Sequence, residues 1–367
     1  MENKINGSWM IYGATGFTGT LIAEEAVRHG LSPVLAGRNA EKLRNLAERL
    51  GLRWVSFSLD DESALREAAE SVDLMLHAAG RFAETSTRMM DACLAAKSHY
   101  LDISNEISVL QAAKSRHHLA EQNGVSIIPG VGFGTVASSC LARHVCEQIS
   151  EPILLEIVIS PYVSQRSVGA IKSTLETIAL GGYVRRNGVL VGTPFGFGAK
   201  RIRAHDMAGN VLPVPSGDLE AAYLATGIAN ITVFMTMPFS PILARRILPL
   251  AQKLLSWSSL RELIFSWLDR RPTSSLMKPV DTNRRSWLWA RAVDCHGNAV
   301  EARLEAGEGY MFTASASVLA VKWVLERQSA GAHFPATVFG AEFVLQIEGT
   351  QMHGISKSTR TDYGYRT

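Results

Sequence analysis

The chain has 367 residues, with 37 Lys and Arg against 34 Asp and Glu, so its net charge is +3, and 47% of its residues are hydrophobic. This is the composition of a globular protein, and it lacks the concentrated basic face that nucleic-acid binding requires. We therefore expect no nucleic-acid partner, and the length favours two domains with separate cores.

The N-terminus and the cysteines bear on the compartment of the protein. Residues 1–7 are polar and mixed in charge, without the basic and then apolar order of a secretory signal. The cysteines are far apart and form no Cys-x-x-Cys pair; they are Cys93, Cys140, Cys146 and Cys295. This spacing favours a reducing compartment and suits no zinc site. We expect a cytoplasmic protein without a bound metal.

Between residues 9 and 129, short apolar runs alternate with longer amphipathic stretches. The pattern predicts strands at 9–12, 33–36, 54–57, 74–78, 99–101 and 125–128, separated by helices such as 39–50. Alternation of this kind is typical of an α/β fold with a Rossmann-type parallel sheet. We expect a dinucleotide-binding domain over residues 1–140.

A glycine-rich turn, Gly13-Ala14-Thr15-Gly16-Phe17-Thr18-Gly19, follows the first strand and opens into a helix that we predict over 20–29. Gly13 permits a tight turn, Gly16 lets the backbone approach a pyrophosphate, and Gly19 lets helix and strand pack closely. The pyrophosphate would rest on the amide groups at the start of the helix. The residues of this turn that we expect to contact the cofactor are Gly13, Thr15, Gly16, Phe17, Thr18 and Gly19.

The second strand ends in Ala36-Gly37-Arg38-Asn39 and has no acid where an NAD site usually places one. Lys42 follows one helical turn later, so two cations and Asn39 could face the adenosine ribose. A guanidinium fits a 2′-phosphate bidentately, whereas a carboxylate would repel it. The sequence therefore favours NADP(H) over NAD, with a solvated helix start as the alternative for Arg38 and Lys42.

Two further sets of residues follow the third and fourth strands. Asp60 could contact the adenine, whereas the safer interpretation of Asp61 is a helix cap. Ala78, Ala79 and Gly80 lie after the fourth strand, at the edge where ligands of open α/β sheets bind. We expect the nicotinamide end of the cofactor near these small residues.

Four segments carry a resemblance to a known family: GATGFTG at 13–19, AGRN at 36–39, YLDISNE at 100–106 and PGVGFGTVAS at 129–138. Together they resemble the saccharopine dehydrogenase-like oxidoreductases, and most of all the branch that contains trans-acting enoyl reductases. The resemblance implies a two-domain NADP-dependent reductase whose second domain carries a mixed sheet and faces the nicotinamide. The chain departs from the family pattern at 134–138, where relatives commonly have an acid and a proline.

Beyond the predicted helix over 135–148, longer strands and hairpins indicate a second, α+β domain over 141–367 with a mixed or antiparallel sheet. Strands are predicted at 153–160, 188–191, 202–206 and 231–237, with a hairpin formed by 286–294 and 299–305. Helices are predicted at 168–179, 241–257 and 260–268. A last helix, over 310–327, is expected to pack back on the first domain. Trp257, Trp267, Trp287 and Trp289 are expected in the core or an interface.

One segment of the second domain, 221–244, has no charged residue and precedes Arg245 and Arg246, as a membrane span would. Its glycine and prolines would break a helix in lipid, so we interpret it as a buried strand followed by a core helix. Three interpretations of the wider apolar belt, 228–268, remain open: it forms a core, a substrate groove or a membrane-contacting surface.

Candidates for the catalytic groups are Tyr100, Asp102 and Lys172. Tyr100 and Asp102 end the fifth strand, and the resemblance places the segment that contains them on the active-site side. Structural alternatives are sheet packing for Tyr100 and helix capping for Asp102. Lys172 could bind a carboxylate or donate a proton, with a solvated lysine as the alternative.

The leading hypothesis is an NADPH-dependent oxidoreductase that reduces an activated C=C bond of an apolar or carrier-bound substrate. One alternative is reduction of a C=N bond, as in a saccharopine-type amino-acid dehydrogenase. Another is a cofactor-binding scaffold or lipid-surface adaptor without turnover, since fold alone does not fix function. The sequence leaves open whether the protein forms a homodimer and whether it contacts a membrane surface.

Overall fold

A computed structural model describes residues 7–163, 168–204, 207–269, 284–327 and 329–358. These residues form two compact units: the first comprises residues up to 136 together with 310–348, and the second comprises 137–309 together with the stretch from 349 onward. The sequence predicts that 310–348 belongs to the second domain, with its helix over 310–327 packed on the first. The structure groups the whole stretch with the first unit. The end of the predicted strand over 202–206 lies outside the described residues.

The secondary structure alternates strands and helices throughout the N-terminal part of the chain. The strands are β1 (Trp9–Tyr12), β2 (Val34–Gly37), β3 (Trp54–Ser56), β4 (Leu74–His77), β5 (His99–Asp102), β6 (Ser126–Ile128), β7 (Pro152–Ser160), β8 (Gly182–Arg186), β9 (Val189–Thr193), β10 (Lys200–Ala204), β11 (Met207–Pro213), β12 (Asn230–Met237), β13 (Ser286–Asp294), β14 (Ala299–Ala306), β15 (Gly331–Ala332) and β16 (Gln351–Ser358). The helices are α1 (Phe17–Arg28), α2 (Ala40–Leu50), α3 (Glu62–Glu70), α4 (Phe82–Ala96), α5 (Ile107–Ser115), α6 (His117–Asn123), α7 (Phe133–Cys146), α8 (Val168–Leu180), α9 (Asp218–Thr226), α10 (Pro241–Leu255), α11 (Ser258–Asp269), α12 (Gly309–Arg327) and α13 (Pro335–Phe339).

The sheet of the first unit is parallel, with the described strands in the order β15-β6-β5-β4-β1-β2-β3. The order of β1 to β6 is that of a dinucleotide-binding sheet, and the chain changes direction across the sheet between β1 and β4. All six predicted strands are present, with bounds that differ by at most one residue. The Rossmann-type fold of this unit is therefore confirmed.

Local sequence explains why α2 begins and ends where it does. The side chain of Asn39 accepts a hydrogen bond from the backbone N–H of Lys42 at 2.9 Å, so Asn39 caps the start of the helix. Gly51 ends it in the left-handed conformation, with φ of 67°, which glycine adopts at low cost. Leu43, Leu46 and Ala47 form its buried face.

The second unit contains a mixed sheet in the order β10-β11-β12-β7-β13-β14-β16, with the β8–β9 hairpin attached at β12. Its central pair, β7 and β12, is parallel, and the other neighbours are antiparallel. This confirms the predicted mixed sheet and the hairpin of β13 and β14. Sequence patterns did not reveal β8, β11, β16 or α9.

The uncharged segment 221–244 does contain the predicted strand, since β12 occupies its centre and is mostly buried. Among the described residues, no helix combines the length and the apolarity that crossing a bilayer requires. The expectation of a core helix after this strand is wrong, because only Ala244 and Leu255 of α10 are buried. Trp257 and Trp267 are likewise exposed, whereas Trp289 is buried as expected.

Candidate functional site

The turn between β1 and α1 is packed so closely that only glycine fits at two of its positions. Gly13 has φ of +88°, and a Cβ there would lie 2.6 Å from the backbone nitrogen of Ala79. A Cβ on Gly19 would lie 2.2 Å from the carbonyl oxygen of Gly13. The hydroxyl of Thr20 donates to the carbonyl of Ala14 at 3.0 Å and fastens the turn to the helix. These contacts provide the tight turn and the close packing that the sequence predicted for Gly13 and Gly19.

The first helix begins at Phe17 rather than at the predicted residue 20. Gly16 is its N-cap, is exposed, and provides no side-chain cap, and the first turn contains no acid. The positive end of the helix dipole therefore lies at the exposed Gly16, and the first-turn amides belong to Phe17, Thr18 and Gly19. Amide groups at such a helix start suit an anion. Thr15 is half-buried in the same turn.

Two exposed cations follow β2 at the same edge of the sheet. Within the described ranges, no acidic side chain forms an ion pair with Arg38 or Lys42, and both are exposed. The carbonyl of Arg38 accepts a hydrogen bond from the hydroxyl of Ser56 at 3.2 Å, which fixes the backbone at this point. Burial raises the pKa of Tyr12, and the nearby positive charge of Arg38 opposes this rise. Arg38 thus lies close to the end of β1, with its guanidinium available to a ligand.

The acids after β3 already have partners within the protein. Asp60 forms an ion pair with Arg88 at 2.6 Å, and both side chains are more than half exposed. The carboxylate of Asp61 accepts a hydrogen bond from the backbone N–H of Ala64 at 3.0 Å, which confirms its interpretation as the cap of α3. A contact of Asp60 with the adenine therefore competes with its bond to Arg88.

The turn after β4 lies directly beside the glycine turn, as the close approach of Ala79 to Gly13 requires. Ala78 is buried, Ala79 is half-buried and Gly80 is exposed. Arg81 then adopts a left-handed conformation, with φ of 64°, which is uncommon for a residue with a side chain. Small side chains thus leave the carboxyl ends of β1 and β4 accessible.

A buried hydrogen-bond network lies beneath this edge, at the ends of β4 and β5. The phenol of Tyr100 donates to the Oδ2 atom of Asp102 at 2.7 Å and lies 3.2 Å from the Nδ1 atom of His77. All three side chains are completely buried. Burial lowers the pKa of His77 to about 3, so its imidazole is neutral at physiological pH.

Asp102 connects two loops at the carboxyl edge. Its Oδ1 atom accepts hydrogen bonds from the backbone N–H and the hydroxyl of Ser104, at 2.9 and 2.6 Å, and from the backbone N–H of Gly130 at 2.9 Å. Burial raises the pKa of Asp102, against the lowering effect of these donors and of Tyr100. For Tyr100, burial and then the charge of Asp102 raise the phenol pKa well above its usual value. The geometry is that of side chains that hold loops in place.

His77 is the member of this network that sequence patterns missed. It follows three apolar residues in β4 and lies within the buried strand that the sequence predicts over 74–78. A polar residue at the carboxyl end of such a strand is the signal that could have identified it, because this end borders the ligand edge of the sheet.

The third predicted catalytic residue, Lys172, lies in the second unit, on α8. Its ammonium is 5.2 Å from the ring centroid of Phe265, within the range of a cation–π contact. Tyr100 and Asp102 are therefore brought together by the structure, whereas Lys172 belongs to a separate set of contacts. Its side chain is half-buried, so the alternative of a fully solvated lysine is not what the structure shows.

The sheet of the second unit has an open cavity of about 500 Å³ on one face. Its lining includes Ser160 and Thr236, whose hydroxyls are hydrogen-bonded at 3.1 Å, and Arg303, whose guanidinium stacks 4.0 Å above the ring of Trp287.

Comparison with known proteins identifies the first unit. Residues 9–128 match the family model of the saccharopine dehydrogenase NADP-binding domain. Over 147 residues the chain is 28% identical to the saccharopine dehydrogenase-like oxidoreductase of Bos taurus, a match that covers 35% of this chain and 34% of the relative. Over 150 residues it is 29% identical to the trans-acting enoyl reductase of Mycobacterium leprae, covering 39% of this chain and 36% of the relative. The matched part is thus about a third of each relative.

The fold extends the likeness to the whole chain. Saccharopine dehydrogenase (L-Glu forming) from Saccharomyces cerevisiae superposes with a TM-score of 0.66 at 13% identity, covering 96% of this chain and 100% of that one. At this identity the match shows the fold alone.

The glycine turn, the uncapped start of α1 and the exposed cations after β2 fit the phosphates of a dinucleotide with a 2′-phosphate. The family model agrees with this donor set. Residues 9–128 are therefore an NADP-binding domain of the saccharopine dehydrogenase family, in a chain that has the saccharopine dehydrogenase fold.

Proposed function

We propose that this protein is an NADPH-dependent reductase that adds hydride to an activated C=C bond of an apolar or carrier-bound substrate. The observation that carries the proposal is the glycine turn beside Arg38, which is exposed and has no ion-pair partner among the described residues, at the edge where sheets of this type bind ligands. The choice of a C=C bond is supported by relatives named trans-acting enoyl reductases.

The residues after β1 and β2 supply the binding of the cofactor. In the proposal, the backbone of residues 13–19 holds the pyrophosphate, and Arg38 and Lys42 hold the 2′-phosphate. Asn39 fixes the start of α2 as its cap, so it orients Lys42. Residues 78–80 leave space for the nicotinamide, and bound NADPH supplies the hydride.

The buried groups at the end of β5 act as positioning residues in this proposal. Tyr100 and Asp102 are completely buried and bonded to each other, to His77 and to two loops, so they shape the edge without touching a substrate. Of the three candidates, only Lys172 is partly accessible, and we assign it the role of proton donor to the carbon that does not receive hydride.

The direct test follows the absorbance of NADPH while the purified protein is given three substrate classes. An α,β-unsaturated acyl thioester tests C=C reduction, an amine with an oxo acid tests C=N reduction, and a saturated thioester is the control. Oxidation with the unsaturated thioester alone supports the proposal. Oxidation only with the amine and the oxo acid would replace it with a saccharopine-type reaction, and binding without turnover of either would favour a scaffold.

Variants of Lys172 test the assignment of the proton donor. Lys172→Met should lower kcat about 100-fold with little change in NADPH binding, because general acid catalysis contributes on the order of 100-fold or more. The matched control is Lys114→Met, on a helix of the first unit. Equal activity of the two variants would contradict the assignment.

A further inference from the structure

The helix α10 carries a stripe of apolar side chains that points away from the protein. Leu243, Ile247, Leu250 and Leu254 recur at intervals of four, three and four residues, so they lie on one side of the helix, and Trp257 follows just beyond its end. Their exposed fractions range from 44% to 62%. We call these five residues the α10 stripe.

Contacts on the opposite side fix the orientation of the helix. Ala244 and Leu255 are buried, and the side chain of Gln252 accepts a hydrogen bond from the backbone N–H of Phe195 at 2.8 Å. The guanidinium of Arg245 donates to the carbonyl of Ala199 at 2.6 Å. The helix is therefore held against the second unit by one side, and the α10 stripe cannot turn inward without breaking these bonds.

The exposed apolar surface is concentrated in this part of the chain. Of the twenty large apolar side chains that are exposed in the described residues, eight lie between Ile242 and Trp267. Leu263 and Trp267 lie on α11, which contacts α10, and have exposed fractions of 68% and 53%. Scattered exposed apolar residues are normal in a soluble protein, but a contiguous group of this size marks a contact surface.

Basic side chains accompany this apolar surface. The sequence from 241 to 268 contains the cations Arg245, Arg246, Lys253 and Arg261 and a single acid, Glu262. Arg246 and Lys253 are exposed and lie seven residues apart, so they share one edge of the α10 stripe. The surface is thus apolar along its centre and positive along one side.

We propose that the α10 stripe, with Arg246 and Lys253, docks this protein on the surface of a lipid bilayer that contains anionic lipids. A helix with an apolar face and flanking basic residues lies in the plane of the interface, with the apolar side chains among the acyl chains. Tryptophan is favoured at that depth, as at Trp257, and Lys and Arg side chains reach back to the headgroups. α10 has 15 residues, too few to cross the bilayer, so the contact is peripheral.

The charges argue against a second copy of the chain as the occupant. A two-fold interface presents the same patch from both copies. In an antiparallel pairing of the two stripes, Arg246 and Lys253 of one copy would face the same cations of the other, and 241–261 supplies no acid to neutralise them. Anionic headgroups provide the missing negative charge. The proposal does not depend on the reductase activity.

The test is flotation of the full-length protein with vesicles in a density gradient. The wild type should float with vesicles of phosphatidylcholine that contain about 30% phosphatidylserine, and should bind pure phosphatidylcholine at least about fivefold less. About 0.5 M NaCl should reduce binding to the anionic vesicles. Leu250→Glu should lower binding about tenfold or more, because a charge replaces an inserted apolar side chain.

Matched variants separate this surface from general effects of charge. Leu119→Glu makes the same change at an exposed leucine of α6 and should leave binding unchanged. Arg246→Gln with Lys253→Gln should lower binding about 25-fold, since each basic residue near an anionic leaflet contributes about a fivefold factor. Arg53→Gln with Arg66→Gln, two exposed arginines of the first unit, is the control of equal charge.

Three outcomes would overturn the proposal. One is a wild type that stays unbound with both vesicle compositions. A second is equal loss of binding in Leu250→Glu and Leu119→Glu. The third is a dimer, measured by light scattering, that Leu250→Glu converts to a monomer while no vesicle binding is seen, since this result assigns the stripe to a second copy.

Discussion

The choice between NADPH and NADH should depend on Arg38. We expect Arg38→Gln to weaken NADPH binding strongly and to leave NADH binding nearly unchanged, because the two cofactors differ only in the 2′-phosphate. The side chain of Arg38 is exposed and has no ion-pair partner among the described residues, so its removal leaves no buried charge behind. The effect on binding is therefore not confounded with a loss of stability.

The expected magnitude follows from the setting of this arginine. A charge-assisted hydrogen bond contributes about 1.5–3 kcal/mol, and an exposed ion pair contributes about 1 kcal/mol or less. A bidentate contact with a doubly charged phosphate at a half-open edge lies between these values, at about 2 kcal/mol, which is about a 30-fold change in Kd. Lys42→Gln should have a smaller effect, about fivefold, since an ammonium is a point charge without the fork of a guanidinium.

Titration calorimetry with each cofactor measures these changes directly. Arg53→Gln is the control, because it removes an exposed arginine of the same unit just before β3. Equal weakening of NADPH and NADH by Arg38→Gln would show that the guanidinium does not contact the 2′-phosphate. An unchanged Kd for NADPH would refute the proposed site at the end of β2.

Three further predictions concern the framework of the site. Gly19→Ala should destabilise the protein by about 3 kcal/mol in urea unfolding, because its Cβ would lie 2.2 Å from a backbone carbonyl oxygen. The control is Gly307→Ala, where a Cβ would meet no atom within 4 Å, and it should change stability by less than about 0.5 kcal/mol. Burial lowers the pKa of His77 to about 3, so below about pH 6.5 the unfolded chain binds a proton at this residue and the folded chain does not. The free energy of unfolding therefore decreases as the pH falls, and His77→Gln should remove about 2 kcal/mol of the decrease between pH 7.5 and 5. Asp102→Asn should cost about 2–3 kcal/mol, since an amide oxygen cannot accept all the donors that the carboxylate accepts, and unchanged unfolding would contradict the geometry.

The fold of the first unit was largely predictable because its signals are local. Short apolar runs, a capping residue such as Asn39 and a terminating glycine such as Gly51 specify strands and helices within a few residues of sequence. The strand β15 was not predictable, because it has two residues and joins the sheet by pairing with β6, about 200 residues earlier in the chain. Pairing over such a distance leaves no periodicity in the sequence.

The candidate site was predictable where a backbone constraint selects a residue type. Gly13 and Gly19 are required by contacts below 3 Å, and that requirement is visible as the motif itself. The helix starts three residues before the predicted position because its N-cap, Gly16, has no side chain that would mark the start in the sequence. The network of His77, Tyr100 and Asp102 joins two strands, β4 and β5, so the sequence supplied Tyr100 and Asp102 but neither His77 nor the contacts.

The outward face of α10 shows why an apolar pattern does not determine burial. The periodicity of the sequence predicts a helix with an apolar side. The same periodicity results whether that side packs on the core or lies on another surface. Here Ala244 and Leu255 occupy the inward side, so the larger residues of the α10 stripe are left outside.

At the carboxyl edge of the sheet, the buried network at the end of β5 positions the loops, and exposed residues carry the charge. His77 is neutral above pH 3 or so because of its burial, and the pKa of Tyr100 is raised well above its usual value. Both groups are therefore uncharged near neutral pH, and the hydrogen bonds of the network position the loops at Ser104 and Gly130. In the proposed site, the groups that meet an anionic cofactor are exposed ones: the uncapped start of α1 and the cations Arg38 and Lys42.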